Sequence, residues 1–369
     1  MSDSKTVVHL VAGARPNFMK IAPLWHSLTA CSWAEPVVVH TGQHYDTNMS
    51  ATFFDDLGLP APDHNLEIGS GTHGEQTGRT MIAYEALCLR QPPDWVVVVG
   101  DVNATAACAI AARKLCLPVA HLEAGLRSGD RSMPEEINRI VTDAIADLLW
   151  TPSPDADENL RREGRPDQTI ERVGNIMLDA YERLRPRIEA AAKSAAPGLQ
   201  QGGFGVVTLH RPVNVDSKEQ LIANCDVLVA LAGDLPLVFP VHPRTRAAID
   251  RFGLQDRFSH PNLRVVEPLG YVDFMALVTG ARLVITDSGG IQEETTYLGI
   301  PCLTLRDSTE RPITITEGTN ELVTTGTLLS KARAALKDGA SGARRPDLWD
   351  GRTAERVADS LRRHVCQHV

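Results

Sequence analysis

The chain predicts an α/β protein of two Rossmann-like domains, and three observations carry that expectation. Short apolar runs suited to buried parallel strands alternate with helical stretches along most of the sequence. The alternation breaks at 190–203, Ala-Ala-Ala-Lys-Ser-Ala-Ala-Pro-Gly-Leu-Gln-Gln-Gly-Gly, which reads as an interdomain linker. A length of 369 residues also exceeds what one small core holds. The expected domains are 1–190 and 204–350, with a last helix in 351–369 packing back on the first domain.

Composition narrows the functional classes. The apolar share of 43% and charged share of 22% are ordinary for a soluble globular protein. A net charge of −9 provides no basic footprint for nucleic acid, so any anionic ligand needs a local cluster. No stretch approaches the roughly 18 apolar residues of a membrane span. Met-Ser-Asp-Ser-Lys leads straight into a strand without a signal-peptide core. The seven cysteines include no Cys-x-x-Cys pair and read as buried thiols of a reducing compartment. A cytoplasmic protein without membrane or nucleic-acid partners is expected.

In the first half, the strand Thr6–Ala12 ends in Gly13-Ala-Arg15-Pro-Asn17. Pro16 fits a helix start, where its missing N–H costs nothing. Arg15 and Lys20 straddle that start and are placed for one ligand, although each also fits a solvated surface charge. The strand Pro36–Thr41 leads to Gln43-His-Tyr-Asp46 and a helix through Phe54. A helix over 73–90 precedes the central strand Asp94–Gly100, and Asp101 follows at once. After an alanine-rich helix, the strand Leu117–His121 runs into Glu123. Asp101 and Glu123 thus leave successive strands at their carboxyl ends, where open parallel sheets place ligands. A hydrated or helix-capping carboxylate fits there too. Pro134-Glu135-Glu136 opens the next helix, with the glutamates favoured by the dipole and Glu135 spaced i,i+4 from Arg139. Strands Leu148–Thr151 and Thr169–Val173 complete this half.

The second half restarts with the strand Phe204–Leu209, which ends in His210-Arg211. After a helix over 218–232, the strand Leu235–Val241 ends at His242, and Asn262–Val266 and Pro268–Phe274 follow. The strand Ala281–Thr286 then meets Asp287-Ser288-Gly289-Gly290. Unpaired N–H groups and the helix dipole at such a turn attract an anion. Two glycines there remove the Cβ atoms that would keep a diphosphate from the backbone. Gly290 and Glu294 share a helix face, so a carboxylate reaches the hydroxyls of a sugar on the same phosphates. A tight βα connection without ligand fits the same residues.

The expected anion set is therefore Arg15, Lys20, Arg211, His242, Arg311 and the Ser288–Gly290 turn. The proton-transfer set is Asp101, Glu123, Glu135 and His210, and the cleft between the domains is expected to gather both. No metal-ligand spacing and no Gly-x-Ser-x-Gly elbow occurs. Gly13-Ala-Arg-Pro-Asn is not Gly-x-Gly-x-x-Gly, which argues against a nicotinamide dinucleotide, and no cofactor is expected. Phosphate binding beside several carboxylates points to proton abstraction and elimination on a nucleotide sugar.

The motifs Gly13-Ala-Arg-Pro with Lys20, Gly100-Asp101, His121-Leu-Glu-Ala-Gly-Leu-Arg127 and Pro134-Glu-Glu-Ile-Asn-Arg139 are joined by His210-Arg211, Thr286-Asp-Ser-Gly-Gly-Ile-Gln-Glu-Glu294 and Arg306-Asp-x-Thr-Glu-Arg-Pro312. Together, in order over about residues 8–325, they resemble the UDP-N-acetylglucosamine 2-epimerase family of the non-hydrolysing bacterial type. The resemblance implies a glycosyltransferase-B type fold, with two Rossmann-like domains facing a cleft, and a homodimer that closes around a UDP-sugar. It also implies the reaction. A base removes the C2″ proton while UDP leaves anti from C1″, and UDP re-adds to the 2-acetamidoglucal after reprotonation from the other face. Carried over by motif, Asp101, Glu123 and Glu135 are the acid–base carboxylates, and His210 lies at the diphosphate. Arg15 and Lys20 face the nucleotide. Ser288, Gly289 and Gly290 hold phosphate, Glu294 the ribose, Arg311 the sugar or phosphate region, and Phe274 lies near the uracil. A buried carboxylate suits removal of a weakly acidic proton. The cationic cluster and helix N-terminus suit the departing diphosphate.

Three features depart from the family pattern. His210-Arg-Pro-Val-Asn214 lacks the glutamate often found three residues after the histidine. Gln43-His-Tyr-Asp-Thr-Asn-Met49 stands where members with an allosteric substrate site carry Gln-His-Arg-Glu-Met-Leu, which argues against activation by a second substrate molecule. Gly69-Ser-Gly-Thr-His-Gly-Glu-Gln-Thr-Gly78 is closer to branches serving cell-surface polysaccharides or antibiotic sugars, one of which uses UDP-2,3-diacetamido-2,3-dideoxyglucuronate. The leading expectation is UDP-N-acetylglucosamine, with that modified sugar or a hydrolysing 2-epimerase as alternatives. A glycosyltransferase is the remote one, since it needs the Gly-Gly turn and Glu294 but not the three carboxylates.

Overall fold

The computed structural model describes residues 5–42, 54, 56–340 and 342–366; the Gln43–Met49 segment lies outside them. The first half forms β1 (Thr6–Ala12), β2 (Ala34–His40), β3 (His64–Asn65), β4 (Trp95–Val99), β5 (Val119–Leu122), β6 (Leu148–Thr151) and β7 (Ile170–Arg172). They pair in the order β3-β2-β1-β4-β5-β6-β7, all parallel. Every side chain of β4, Trp-Val-Val-Val-Val, is buried, as a strand covered on both faces requires. Strand order reverses between β1 and β4, so the loops leaving those two strands flank a topological switch point.

The second half forms β8 (Gly205–Thr208), β9 (Leu237–Pro240), β10 (Leu263–Val266), β11 (Leu283–Thr286), β12 (Cys302–Leu305) and β13 (Asn320–Val323). Their order is β10-β9-β8-β11-β12-β13, again all parallel, with the switch between β8 and β11. Thr208 pairs with Thr286, so the loops carrying His210 and Ser288 leave the sheet level with each other.

The chain divides into two compact units, Met1–Arg183 with Asp347–Val369, and Leu184–Pro346. The helix Ile176–Ala192 runs across the first boundary and ends inside the 190–203 stretch. Each unit has its own apolar core, one including Val96, Val98, Leu149 and Tyr84, the other Val207, Phe239, Ile285 and Leu303. In the first unit, small side chains let the helix Asn103–Lys114 lie close to its neighbours, with Ala104, Ala107, Ala109 and Ala112 all buried. Thr72 and Glu75, inside the Gly69–Gly78 stretch, form a capping box that starts the helix His73–Arg90. The last helix, Thr353–Val365, packs on Arg15–Thr29, and Ser360 accepts from Trp150 Nε1 at 2.8 Å. Among the described residues no helix is long and apolar enough to cross a membrane.

Gly125, in the loop after β5, has φ +82°, and a Cβ there would lie 2.4 Å from the carbonyl oxygen of Ala156. Gly125→Ala therefore combines left-handed strain with a backbone clash and should destabilise the protein by about 2–4 kcal/mol, read as a lower urea midpoint at unchanged slope. An unchanged midpoint would show that the loop relaxes freely.

Candidate active site

In the first unit the switch point collects charged side chains from three elements. The backbone sets this up. Asn17, in the first turn of the helix Arg15–Thr29, accepts from the N–H groups of Gly13 and Ala14 at 3.2 and 2.9 Å. Its amide donates to Val99 O at 3.0 Å, tying the loop after β1 to the end of β4. One turn on, the Lys20 ammonium forms a buried ion pair with Glu123 Oε2. Lys20 was expected among the anion-binding cations; the structure places it on a carboxylate of the proton-transfer set. Glu123 has φ +72°, and its buried Oε1 has no hydrogen-bond partner among the described residues. Arg15 is exposed at the start of the same helix.

Asp101 lies at the next strand end, one third exposed, and its Oδ2 accepts from Arg139 Nη1 at 2.5 Å. Arg139 also donates to Glu136 Oε2 at 2.8 and 3.1 Å. The expected i,i+4 pairing of Glu135 with Arg139 does not form. Arg139 turns instead to Glu136, which is buried with it, and to Asp101 on another element, while Glu135 is only half-buried. Burial tends to raise the pKa of Glu136, but the N–H of Ser128 and the Arg139 guanidinium outweigh it and hold the carboxyl below its usual range.

A buried relay that sequence reasoning missed lies beneath these groups. His121 Nε2 meets Gly100 O at 2.8 Å, and its Nδ1 meets Asp143 Oδ1 at 2.6 Å. Asp143 Oδ2 accepts from Gly125 N at 3.0 Å and pairs with Arg127 at 2.8 Å. The available signal was a histidine inside an apolar strand, which requires a polar partner when buried.

The second unit arranges its donors around Asp287, which is fully buried. Its carboxylate accepts from the N–H groups of His210 (3.0 Å) and Arg211 (2.9 Å) and from Asn214 Nδ2 (3.0 Å). His210 Nδ1 lies 2.9 Å away, which leaves Nε2 as the other ring nitrogen to meet a ligand. Burial raises the Asp287 pKa, and the bond and charge of His210, with Asn214 and the Arg211 N–H, more than reverse that. Asp287, absent from the expected site residues, is thus the centre of this loop pair.

The helix Gly289–Leu298 begins at Ser288 without a side-chain cap. A Cβ on Gly289 would lie 2.7 Å from Glu310 Oε1 and 2.8 Å from Arg311 Nη1, so it would displace the ends of that ion pair, whereas Gly290 faces open space. Arg311 pairs with Glu293 at 2.8 Å and with Glu310. Glu310 also accepts from Arg306 at 2.9 Å. Burial works to raise the Glu310 pKa, but Arg311 and Arg306 hold it far below the carboxylate range. Glu294 is buried and pushed up to about 7, first by desolvation, with a 2.7 Å bond from Tyr271 Oη partly offsetting it. Phe274 lies one turn beyond Tyr271 on the helix Tyr271–Gly280. His242 caps the helix Pro243–Phe252 by accepting from Arg244 N, and its ring lies 5.2 Å from that of His210. Its pKa is lowered by burial and then by the His210 charge.

A family model described as UDP-N-acetylglucosamine 2-epimerase matches residues 26–362. A UDP-N-acetylglucosamine 2-epimerase of Methanocaldococcus jannaschii is 43% identical over 322 residues, covering 85% of this chain and 87% of the relative. A UDP-2,3-diacetamido-2,3-dideoxy-D-glucuronate 2-epimerase of Pseudomonas aeruginosa is 42% identical over 316 residues, with the same coverage. The fold matches the crystal structure of the M. jannaschii UDP-GlcNAc 2-epimerase in complex with UDP-GlcNAc and UDP at a TM-score of 0.86 and 40% identity, over 96% of this chain and 99% of that one. The two Rossmann-like units are thus those of a glycosyltransferase-B type fold.

Because the folded-state pKa of Asp287 is depressed, its contribution to stability is fully present above its ordinary value of 3.8 and is lost as pH falls below that through the folded value. Below about pH 4, thermal midpoints should fall less steeply with decreasing pH for Asp287→Asn than for the wild type. Parallel curves would remove Asp287 from the acid limb.

Proposed function

The chain belongs to the UDP-N-acetylglucosamine 2-epimerase family, and we propose that it converts UDP-N-acetylglucosamine to its manno epimer. The enzyme is a nucleotide-sugar 2-epimerase. The observation that most supports the mechanism is that Asp101 and Glu123 end adjacent strands, each with its own cation. One carboxylate of the set Asp101, Glu123 and Glu135 takes the C2″ proton. The electron pair of that C–H bond forms the C1″–C2″ double bond, and the C1″–O bond breaks with its pair on UDP. Protonation of the glycal from the other face and return of UDP to C1″ give the epimer, with no net change in composition. His210 Nε2, Arg211, His242 and the N–H groups of the Ser288–Gly290 turn stabilise the departing diphosphate. Arg15, Lys20 and Arg311 orient the substrate, while Glu294 accepts from the ribose and Phe274 covers the uracil. Homodimeric assembly and a cytoplasmic location are part of the same proposal.

A second reading replaces the substrate by UDP-2,3-diacetamido-2,3-dideoxyglucuronate. It is favoured by the P. aeruginosa relative, whose 42% identity nearly equals the 43% of the M. jannaschii enzyme.

Incubation with UDP-N-acetylglucosamine in D₂O, followed by NMR, should place deuterium at C2″ of both UDP epimers. Free N-acetylmannosamine would mean hydrolysis, and turnover of the diacetamido uronate alone would establish the second reading. Asp101→Asn should lower turnover by about 10²–10⁴-fold while UDP affinity, from calorimetry, changes less than about threefold. Loss of UDP binding would place Asp101 in nucleotide recognition instead. Glu123→Gln should also cut turnover, but it leaves buried Lys20 unpaired and costs about 3–5 kcal/mol of stability as well.

A further inference from the structure

The helix Pro134–Ile145 turns its charged side chains inward. Glu136, Arg139 and Asp143 are buried, whereas Ile137 is 42% exposed. Burying charge is unfavourable unless every group is paired, so this inverted helix persists only because its partners are in place. Those partners converge on one peptide, Gly100–Asp101. Asn138 Nδ2 donates to Asp101 O at 2.9 Å. Arg139 Nη1 donates to Asp101 Oδ2 at 2.5 Å. Asp143 holds His121, which meets Gly100 O. Glu136 braces the arginine, and its oxygens also accept from Ser128 N at 3.0 Å and Gly129 N at 2.9 Å. The brace therefore ties the loop after β5 to Asp101, and the same helix carries Glu135 in its first turn.

We propose that Arg139 is a positioning residue for the epimerisation. Braced by Glu136, it holds Asp101 by one carboxylate oxygen and fixes it relative to Glu135, leaving Oδ1 for the sugar. Oδ1 carries no hydrogen bond among the described residues, and the side chain is 34% exposed, so the free oxygen has room for a ligand. The guanidinium suits this task because its rigid fork serves Glu136 and Asp101 at once, which a lysine ammonium cannot do in the same plane. The inference rests on the reading of Asp101 and Glu135 as proton-transfer groups.

The test uses the full-length protein and the D₂O epimerisation assay on both UDP-sugars. Arg139→Met should lower kcat by about 100-fold, the scale of a misplaced catalytic group, with KM and UDP affinity changed less than about threefold. Guanidinium at millimolar concentration should restore part of kcat, and Arg139→Lys should fall between the two. A folded Arg139→Met protein with kcat within about threefold of the wild type would overturn the proposal, as would a loss of kcat that only tracks lost UDP binding. If Arg139→Met does not fold, Glu136→Gln keeps the arginine and removes its brace. A drop in kcat at unchanged UDP affinity is then expected, and unchanged kcat overturns the inference. A wild-type protein inert on both UDP-sugars would overturn the functional reading itself, and this proposal with it. An active wild type with an unaffected variant would overturn the positioning role alone.

Discussion

The buried Lys20–Glu123 ion pair is the contact on which the first unit's carboxyl edge depends. Two charges removed from water each lose several kcal/mol of hydration, so neither side chain stays buried without the other. To meet Glu123, Lys20 reaches past the end of β4, where Gly100 sits at φ +68° and a Cβ would come within 3.1 Å of Lys20 Nζ. Glu123 itself adopts φ +72°, a backbone region that non-glycine residues seldom enter and that costs about 1–3 kcal/mol. The ion pair thus sits beside two left-handed backbone positions that directly follow adjacent strands.

The second unit handles a buried carboxylate differently. Asp287 is surrounded mainly by N–H donors, two from the backbone and one from Asn214, with the His210 ring beside it. Those donors come from the loop after β8, while Asp287 follows β11, so the acid fastens together the two loops that flank the switch point. Each unit therefore stabilises its edge with a buried acid: Lys20 holds Glu123 in the first, and Asp287 holds His210 in the second.

Much of this architecture was legible in the sequence because it follows local rules. Apolar runs such as Trp95–Val99 and the turn at Ser288–Gly290 depend on neighbours a few residues away. What escaped depends on distant partners. Arg139 satisfies an i,i+4 rule with Glu135 on paper, but that rule describes exposed helix faces, and burial sends the guanidinium to an aspartate 38 residues earlier. Lys20 reads in sequence as a phosphate ligand, and nothing local shows that its buried partner is Glu123, 103 residues on. Arg311 likewise looks free for the sugar in sequence, whereas Glu293 and Glu310 hold it. Two glycines in a turn read as equivalent, yet a Cβ on Gly289 would press on the Glu310–Arg311 pair while Gly290 faces open space.

Under the proposed function, the charge balance of the second unit bears on how it would hold a diphosphate. Arg211, Arg306 and Arg311 lie within electrostatic reach of one another, and burial followed by the Arg306 charge lowers the Arg211 pKa. Asp287, Glu293 and Glu310 lie among them and cancel their formal charge. A cluster neutralised this way attracts an anion through fixed directional donors more than through excess charge. The uncapped N–H groups at the start of Gly289–Leu298 are such donors. Donors held in place before the bond breaks stabilise charge as it develops without the cost of reorganising around it. That property suits a leaving group that must return, because a site with a large surplus of positive charge would stabilise free UDP and oppose its re-addition to the glycal.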